Sequence, residues 1–171
     1  MPLVPTGKPA PRVTDPTVQY TMLVCSLMNQ HGLTDWTFEL DRAKRRAGCC
    51  KHGCKTLTLS YHYITRNLDK PDDIRDTILH EIAHALAGHD AGHGDAWKAI
   101  CVRIGASPQR CYDSTVIDMP KGQLVATCQG CSKTFRRHRR VRSGTYRYCL
   151  TCGPDTGRLL FSTATGLIQG Q

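Results

Sequence analysis

The chain has 171 residues, of which 40% are hydrophobic and 22% charged, which allows one ordinary core with a small appendage and excludes collagen, coiled-coil and wholly disordered proteins. Its formal charge of +9 is uneven, because residues 1–120 carry 14 Lys+Arg against 13 Asp+Glu and residues 121–171 carry 9 against 1. The last third should therefore attract polyanions, nucleic acid first and acidic membrane surfaces second, since neutralising phosphates releases condensed counterions.

The N-terminal part is predicted to be a flexible segment followed by a helix. Residues 1–13 are rich in proline and lack periodicity, as is typical of a flexible lead-in. Asp15-Pro16 offers an N-cap and a first-turn proline, and apolar residues recur at helical spacing up to Gly32. The predicted apolar stripe of this helix is Val18, Met22, Cys25 and Met28.

Two segments alternate apolar and polar residues, as strands with one buried face do. They are 36–40 and 56–60, and a basic, cysteine-rich connection joins them. Within that connection Cys49, Cys50 and Cys54 have no recognisable zinc spacing, so we expect a hairpin of partly buried thiols.

Two further helices are predicted downstream. Pro71-Asp72-Asp73 opens one of them, with acidic residues at its positive end and a stop at Gly88. The other runs from about Gly94 to Ile104 with Trp97 and Cys101 on its apolar stripe. Both Cys25 and Cys101 are expected in the core.

The C-terminal third contains two cysteine pairs. Cys128-x-x-Cys131 and Cys149-x-x-Cys152 are separated by 17 residues, the spacing of the two knuckles of a zinc ribbon. Four thiolates would form a closed tetrahedral site, which supplies folding energy that so short a segment cannot obtain from its own core. We predict a structural zinc ion there.

The second predicted helix carries an HExxH motif, His80-Glu81-Ile82-Ala83-His84. The spacing of four residues places both imidazoles on one helical face within reach of one zinc ion, with Glu81 beside the position where a water would sit. The opposite face is apolar, which favours a metal site over a helix with two unrelated histidines.

A catalytic zinc site needs a third protein ligand. The chain has two glutamates, Glu39 and Glu81, so no downstream glutamate is available, and the metzincin pattern fails because residues 87 and 90 are Ala and Asp. His89, Asp90 and His93 remain as candidates. We favour His93, because the glycines on either side of it allow a tight turn toward the metal.

Arginines and aromatic residues are interleaved between the two cysteine pairs. The arginines are Arg136, Arg137, Arg139, Arg140, Arg142 and Arg147, and the aromatic residues are Phe135, Tyr146 and Tyr148. Arginine grips phosphates and aromatic rings stack on unpaired bases, so the pattern predicts binding of single-stranded or distorted nucleic acid. A solvated charged hairpin is the alternative.

The motif, followed by Gly92-His93-Gly94 and Trp97, resembles the SprT-like family of zinc metallopeptidases, which includes proteases of DNA–protein crosslinks. The segments Arg46-Ala47-Gly48-Cys49 and Arg110-Cys111-Tyr112, and the ribbon, extend the resemblance over roughly residues 15–165. It implies an α+β, zincin-like metallopeptidase domain at 14–120 and a β-rich basic zinc ribbon at 121–171.

The resemblance further implies a zinc endopeptidase that acts on proteins bound or crosslinked to DNA. Its catalytic zinc would be held by His80, His84 and His93, with Glu81 as general base on a zinc-bound water, so that two zinc ions are expected per chain. The expected location is bacterial or phage cytoplasm, near the nucleoid, without secretion or a membrane partner. A substrate peptide could add to the edge of the strand at 56–60. The alternative function is a nucleic-acid-binding zinc protein whose HExxH site is idle or structural.

Overall fold

The computed structural model describes residues 15–109 and 117–163. The chain divides into two compact units, Met1–Met119 and Pro120–Gln171, and each has its own sheet and buried apolar cluster. The predicted flexible segment 1–13 and the segment Arg110-Cys111-Tyr112 lie outside the described residues.

The first unit combines helices with a three-stranded sheet. Its elements are α1 (Pro16–Gln30), β1 (Thr37–Asp41), β2 (Gly48–Lys51), β3 (Thr56–Ser60), α2 (Tyr61–Arg66), α3 (Pro71–Ala87) and α4 (Asp95–Ile104), with single 3-10 turns at His52–Cys54 and His89–Ala91. The predictions of α1, α3, α4, β1 and β3 are confirmed. In contrast, β2 lies inside the segment described from the sequence only as a basic, cysteine-rich connection, and α2 was not predicted.

Strand β3 is the centre of this sheet. It pairs in parallel with β1 and antiparallel with β2, and all five of its residues are buried. Its polar face is covered as well as its apolar face, because Thr58 Oγ1 donates to Asp41 Oδ2 at 3.0 Å and Ser60 Oγ to the carbonyl of Ala43 at 2.6 Å. The prediction that a peptide adds to the edge of 56–60 is therefore wrong. The open edges belong to β1 and β2.

Helix α1 buries a different face from the predicted one. The buried residues are Val24, Leu27 and Met28, whereas Met22 is 67% exposed and Cys25 is exposed. The helical period was correct, but the stripe is rotated, and the prediction that Cys25 is a core residue is wrong. The side chain of Cys101 is buried in α4, as predicted.

Helix α3 runs through the core of the first unit. Its buried residues are Ile74, Thr77, Ile78, Leu79, His80, Glu81, Ile82 and Ala83. Trp97 and Cys101 of α4 belong to the same buried cluster. The middle of α3 is thus covered on all sides, which gives the polar residues that it carries a rigid support.

Asn67, which follows α2, anchors the last residues of the first unit. Its side chain is 1% exposed, and its Nδ2 donates to the carbonyls of Tyr63 at 2.8 Å and of Asp118 at 2.9 Å. The Asn67 Oδ1 accepts from the N–H of Asp118 at 2.9 Å, and Arg66 pairs with the Asp118 carboxylate at 3.0 Å. The donor and the acceptor of one buried side-chain amide therefore both bind the backbone of Asp118.

The second unit is a small β structure. Its elements are β4 (Leu124–Thr127), β5 (Thr134–Arg137), the short helix α5 (Gly153–Thr156) and β6 (Ser162–Thr163), with an antiparallel sheet in the order β5-β4-β6. The buried residues of its apolar cluster are Ala126, Cys128, Cys149 and Leu159. Cysteines supply half of this cluster, so the unit has little apolar core of its own.

Together the two units confirm the predicted mixed α+β fold class. Among the described residues, no helix combines the length and the apolar character needed to cross a lipid bilayer.

Candidate metal centres

Helix α3 positions the three residues of the HExxH motif. Its buried apolar neighbours Ile78, Leu79 and Ile82 fix the helix in the core. His80 is 8% exposed and Glu81 9% exposed, and the spacing of one helical turn sets the Nε2 atoms of His80 and His84 3.2 Å apart. Two imidazoles therefore converge from a rigid element.

A glycine-containing turn brings a third histidine to the same point. Gly88, which ends α3, has φ +88°, and Gly92 has φ +51°, conformations that side chains other than that of glycine rarely adopt. After this turn the Nε2 of His93 lies 3.1 Å from that of His84 and 3.3 Å from that of His80. The chain reversal completes a cluster of three imidazoles.

The three nitrogens fit a zinc ion. Ligands at three corners of a tetrahedron with Zn–N bonds of 2.0–2.1 Å are ~3.3–3.4 Å apart, close to the observed distances of 3.1–3.3 Å. Three protein ligands leave one position open, as in catalytic zinc sites. Of the candidate third ligands the structure brings in His93, whereas His89 is exposed with its Nδ1 3.0 Å from Asp90 Oδ1.

Burial keeps the imidazoles of His80 and His84 in the neutral form that binds metal. Desolvation, with a contribution from His93, lowers the pKa of His80 to about 4. Desolvation, with contributions from His80, His93 and His52, lowers the pKa of His84 to about 4. Protons therefore compete weakly with a metal ion at neutral and mildly acidic pH.

Trp97 packs against all three imidazoles. Its ring centroid lies 4.8 Å from that of His80, 5.2 Å from that of His84 and 4.6 Å from that of His93, and it stacks on His84 at 25°. The side chain is fully buried, and within the described part of the chain its indole N–H has no hydrogen-bond partner. Trp97 restricts the orientation of the three rings.

Glu81 lies beneath the edge strand β2. Burial raises the pKa of its carboxyl to about 7, and the Arg46 guanidinium and the backbone N–H of Cys50 oppose this rise. The packing is tight, since a Cβ atom at Gly48 would lie 2.8 Å from Glu81 Cγ and Oε1. A carboxylate with a pKa near 7 is suited to general acid–base chemistry at neutral pH.

A model of the SprT-like family matches residues 21–117, more than half of the chain. The chain belongs to the SprT-like family. The match includes His80, Glu81, His84 and His93, and the family is associated with zinc-dependent metallopeptidase activity. Comparisons with curated proteins and with solved structures gave no significant match.

The second unit of this SprT-like protein gathers the four cysteines predicted to bind zinc. The Sγ atoms of Cys128, Cys131, Cys149 and Cys152 all lie within 4.8 Å of one another. Those of Cys131 and Cys149 are 3.7 Å apart, where Zn–S bonds of 2.3 Å in a tetrahedron predict ~3.8 Å. The four thiols would leave no open position, so the cluster fits the structural site of a zinc ribbon.

The backbone around the cysteines suits this role. The residue after each pair, Ser132 or Gly153, has positive φ, so the two turns bend in the same way. The backbone N–H groups of Cys152 and Thr151 lower the pKa of the Cys149 thiol to about 6, whereas hydrogen bonds with the thiols of Cys131 and Cys128 raise the pKa of Cys152 to about 12. A thiolate is the form that binds metal.

Across the described residues, no further group of His, Cys, Asp or Glu side chains converges closely enough to hold a metal ion. The Cys50 Sγ lies 3.5 Å from His52 Nε2, while the thiols of Cys49 and Cys54 lie 3.8 Å from backbone carbonyl oxygens. The prediction of partly buried thiols is confirmed for Cys49 and Cys50, whereas Cys54 is exposed.

The arginines predicted to contact nucleic acid are on the surface of the second unit. Arg136, Arg139, Arg140, Arg142 and Arg147 are exposed, and Arg137 is half-buried. The guanidinium of Arg137 lies 5.5 Å from the ring centroid of Phe161. Within the described ranges 15–109 and 117–163, none of the six forms an ion pair.

One residue of this surface, Arg158, was not among the arginines predicted to contact nucleic acid. Its guanidinium lies 4.3 Å from the ring centroid of the exposed Tyr146, and an antiparallel bridge pairs it with Tyr148. Arg158, Tyr146, Arg147 and Arg140 line a groove of about 420 Å³. The pairing of Arg158 with Tyr148 brings it to this surface, and the sequence alone gives no sign of that pairing.

Proposed function

We propose that this SprT-like protein is a zinc-dependent endopeptidase that acts on proteins bound or crosslinked to DNA. One observation carries the peptidase part, namely three converging imidazoles, two of them on the same helix as the buried residue Glu81. A zinc ion held by the three would keep one position open. The concentration of exposed arginines in the second unit supports the DNA part.

The catalytic chemistry would be shared between the metal ion and Glu81. A zinc ion held by His80, His84 and His93 would act as a Lewis acid on water and on a peptide carbonyl. Glu81 would accept a proton from the attacking water and deliver it to the leaving nitrogen, two steps that a pKa of about 7 suits. Trp97 would keep the imidazoles in their converging orientation during both steps.

Strand β2 offers a place for an extended substrate. The N–H of Ser60 donates to the carbonyl of Ala47 at 2.7 Å, so the alternating antiparallel register turns the backbone groups of Gly48 and Cys50 away from β3. The Cys50 N–H is occupied by the Glu81 carboxylate, which leaves the backbone groups of Gly48 and the carbonyl of Cys50 for a peptide. A peptide that adds there would be held through its main chain, which does not discriminate between side chains. We therefore propose a broad sequence preference.

DNA would then be the element that selects substrates. Arginine forks bind phosphate oxygens, and the exposed rings of Tyr146 and Tyr148 offer faces on which unpaired bases stack. A substrate protein on the same DNA would reach the active site at high effective concentration. Single-stranded or distorted DNA fits this surface better than an intact duplex, whose bases are already stacked.

The second candidate is a nucleic-acid-binding zinc protein whose three-histidine site performs no reaction. The observation that favours it is that the excess of positive charge and the exposed rings of Tyr146 and Tyr148 lie in the second unit. The two candidates differ in what they require of Glu81, because an idle metal site needs no carboxylate beside its open position.

The test is cleavage of a DNA-bound protein by the zinc-loaded chain, with and without single-stranded DNA, in the wild type and in Glu81→Gln. We expect cleavage that requires DNA and that falls by about 10²- to 10⁴-fold in the variant, while both zinc ions remain bound. The matched control is Glu39→Gln, which changes the other glutamate of the chain, an exposed residue of β1. It should cleave at the wild-type rate.

Equal cleavage by the wild type and Glu81→Gln would reject the peptidase proposal. Cleavage that depends on Glu81 but not on DNA would retain the peptidase and reject the DNA-directed substrate. Tight DNA binding with no cleavage in either protein would favour the accessory zinc protein.

A further inference from the structure

We propose that Gly48 is a positioning residue for Glu81, because a residue without a side chain at this point of β2 allows the edge strand to close over the carboxylate and hold it in place. The catalytic consequence of this contact rests on the proposed peptidase function. The contact itself does not.

Gly48 is required by space and not by backbone conformation. Gly88 and Gly92 have positive φ, but Gly48 has an ordinary strand conformation that any residue adopts. A Cβ atom there would lie 2.8 Å from Glu81 Cγ, 2.8 Å from Oε1 and 3.0 Å from Cδ. Glycine weakens the interior of a strand, and at such positions it marks the close approach of another group. The approaching group here is the side chain of Glu81.

The backbones on both sides of this contact are held firmly. Strand β2 is paired along its length with the buried strand β3, and Glu81 stands on the fully packed middle of α3. A methyl group at position 48 would therefore displace the side chain of Glu81 more readily than either backbone. Glu81 is 9% exposed and its carboxylate accepts a hydrogen bond from the N–H of Cys50 on the same strand. A displaced carboxylate would therefore lose a defined hydrogen-bonded position.

The expected effect on catalysis is large compared with the size of the substitution. A displacement of about 1 Å in a catalytic group lowers the rate by about 10²-fold. We expect Gly48→Ala to lower kcat by about 10- to 100-fold with KM changed less than about twofold, since the strand edge and the metal ligands remain. The zinc content of the variant should equal that of the wild type.

Gly53→Ala is the matched control in the same hairpin. An added Cβ at Gly53 would meet no atom within 4 Å, and the backbone there has no positive φ. Both substitutions add one methyl group to one glycine, but only that at Gly48 meets Glu81. Gly53→Ala should retain the wild-type kcat.

A double-mutant cycle tests the contact without reference to activity. Glu81→Ala removes the Cγ, Cδ and Oε1 atoms that the added methyl group would meet. Gly48→Ala should therefore be tolerated better in the Glu81→Ala background than in the wild type, by about 4 °C or more in the melting temperature of the zinc-loaded chain. Gly53→Ala should shift the melting temperature equally in both backgrounds.

Two results would overturn the proposal: equal effects of Gly48→Ala on melting in the two backgrounds, or wild-type kcat in Gly48→Ala. If the cycle shows the coupling but the wild type has no turnover that depends on Glu81, Gly48 still positions the carboxylate and the peptidase function is what fails. The two proposals can therefore fail separately.

Discussion

In the first unit, three imidazoles stand on and beside a helix whose buried neighbours already form a core. In the second unit, two of the four cysteines are themselves half of the buried apolar cluster. The first cluster would leave a coordination position open, and the second would not. The comparison predicts different roles for a metal ion at the two clusters, because the first cluster lies on a core that is already formed and the second contributes to the small core of its unit.

The largest difference between the two units should appear in their folding when metal is removed. With excess chelator, we expect residues 120–163 to lose all hydrogen–deuterium exchange protection, because structural zinc contributes on the order of 10 kcal/mol to folding in such units. Helices α1, α3 and α4 should keep their protection. Exchange measured by mass spectrometry on peptides from each unit gives both results in one experiment.

Substitution of a single metal ligand in each unit tests the same difference in folding without chelator. Cys149→Ser removes one ligand of the second cluster and should abolish protection there, whereas His84→Gln should release zinc from the first unit and leave it folded. If His84→Gln unfolds the first unit, or if the second unit keeps its protection without metal, the two clusters do not differ in their structural role.

The uneven charge of the two units predicts where DNA binds. We expect Arg147→Ala and Arg158→Ala each to weaken binding of a single-stranded oligonucleotide several-fold and to reduce the slope of log K against log salt by about 0.7 per lost phosphate contact. Fluorescence anisotropy at several salt concentrations measures both quantities. The control is Arg103→Ala on α4, an exposed arginine of the nearly neutral first unit. An equal loss in this control would mean that total charge, and not the groove, determines binding.

A smaller effect concerns the pH dependence of the zinc-free first unit. The pKa values of His80 and His84 are lowered from 6.5 to about 4, so their contribution to stability is present above pH 6.5 and is lost as the pH falls toward 4. The pKa of Glu81 is raised from 4.5 to about 7, so its contribution is present below pH 4.5 and is lost as the pH rises through 7. The two histidines together outweigh the single glutamate, so acidification should lower the stability of the zinc-free first unit.

Glu81→Gln removes the opposing group, so zinc-free Glu81→Gln should lose stability more steeply between pH 6.5 and 4.5 than the zinc-free wild type does. Urea midpoints from tryptophan fluorescence measure this, because both tryptophans, Trp36 and Trp97, are in the first unit. Identical pH profiles for the two proteins would mean that the pKa of Glu81 is not raised in the zinc-free first unit.

The parts of the site that depend on local spacing were predictable from the sequence. The distance of one helical turn between His80 and His84 and the two CxxC pairs each place ligands together without long-range information. His93 followed from elimination among a few candidates and from its two flanking glycines. The structure brings together all the ligands that were proposed in this way.

The parts that depend on tertiary pairing were not predictable. Gly48-Cys49-Cys50-Lys51 has no alternation of apolar and polar residues, and it is a strand because β3 pairs with it. The buried face of α1 is determined by what packs against it, so Met22 is exposed although the period of the helix was correct. The close contact of Gly48 with Glu81 likewise exists only after β2 has docked over α3.

The buried amide of Asn67 determines where the two units can be separated. A chain cut after Met119 keeps the Asp118 backbone groups that this amide binds. A chain cut at residue 117, where the family match ends, would leave the Asn67 donor and acceptor without these partners, at a cost of about 1–3 kcal/mol for each buried group. A fragment of the first unit should therefore extend past residue 117, where the family match ends, to include Asp118.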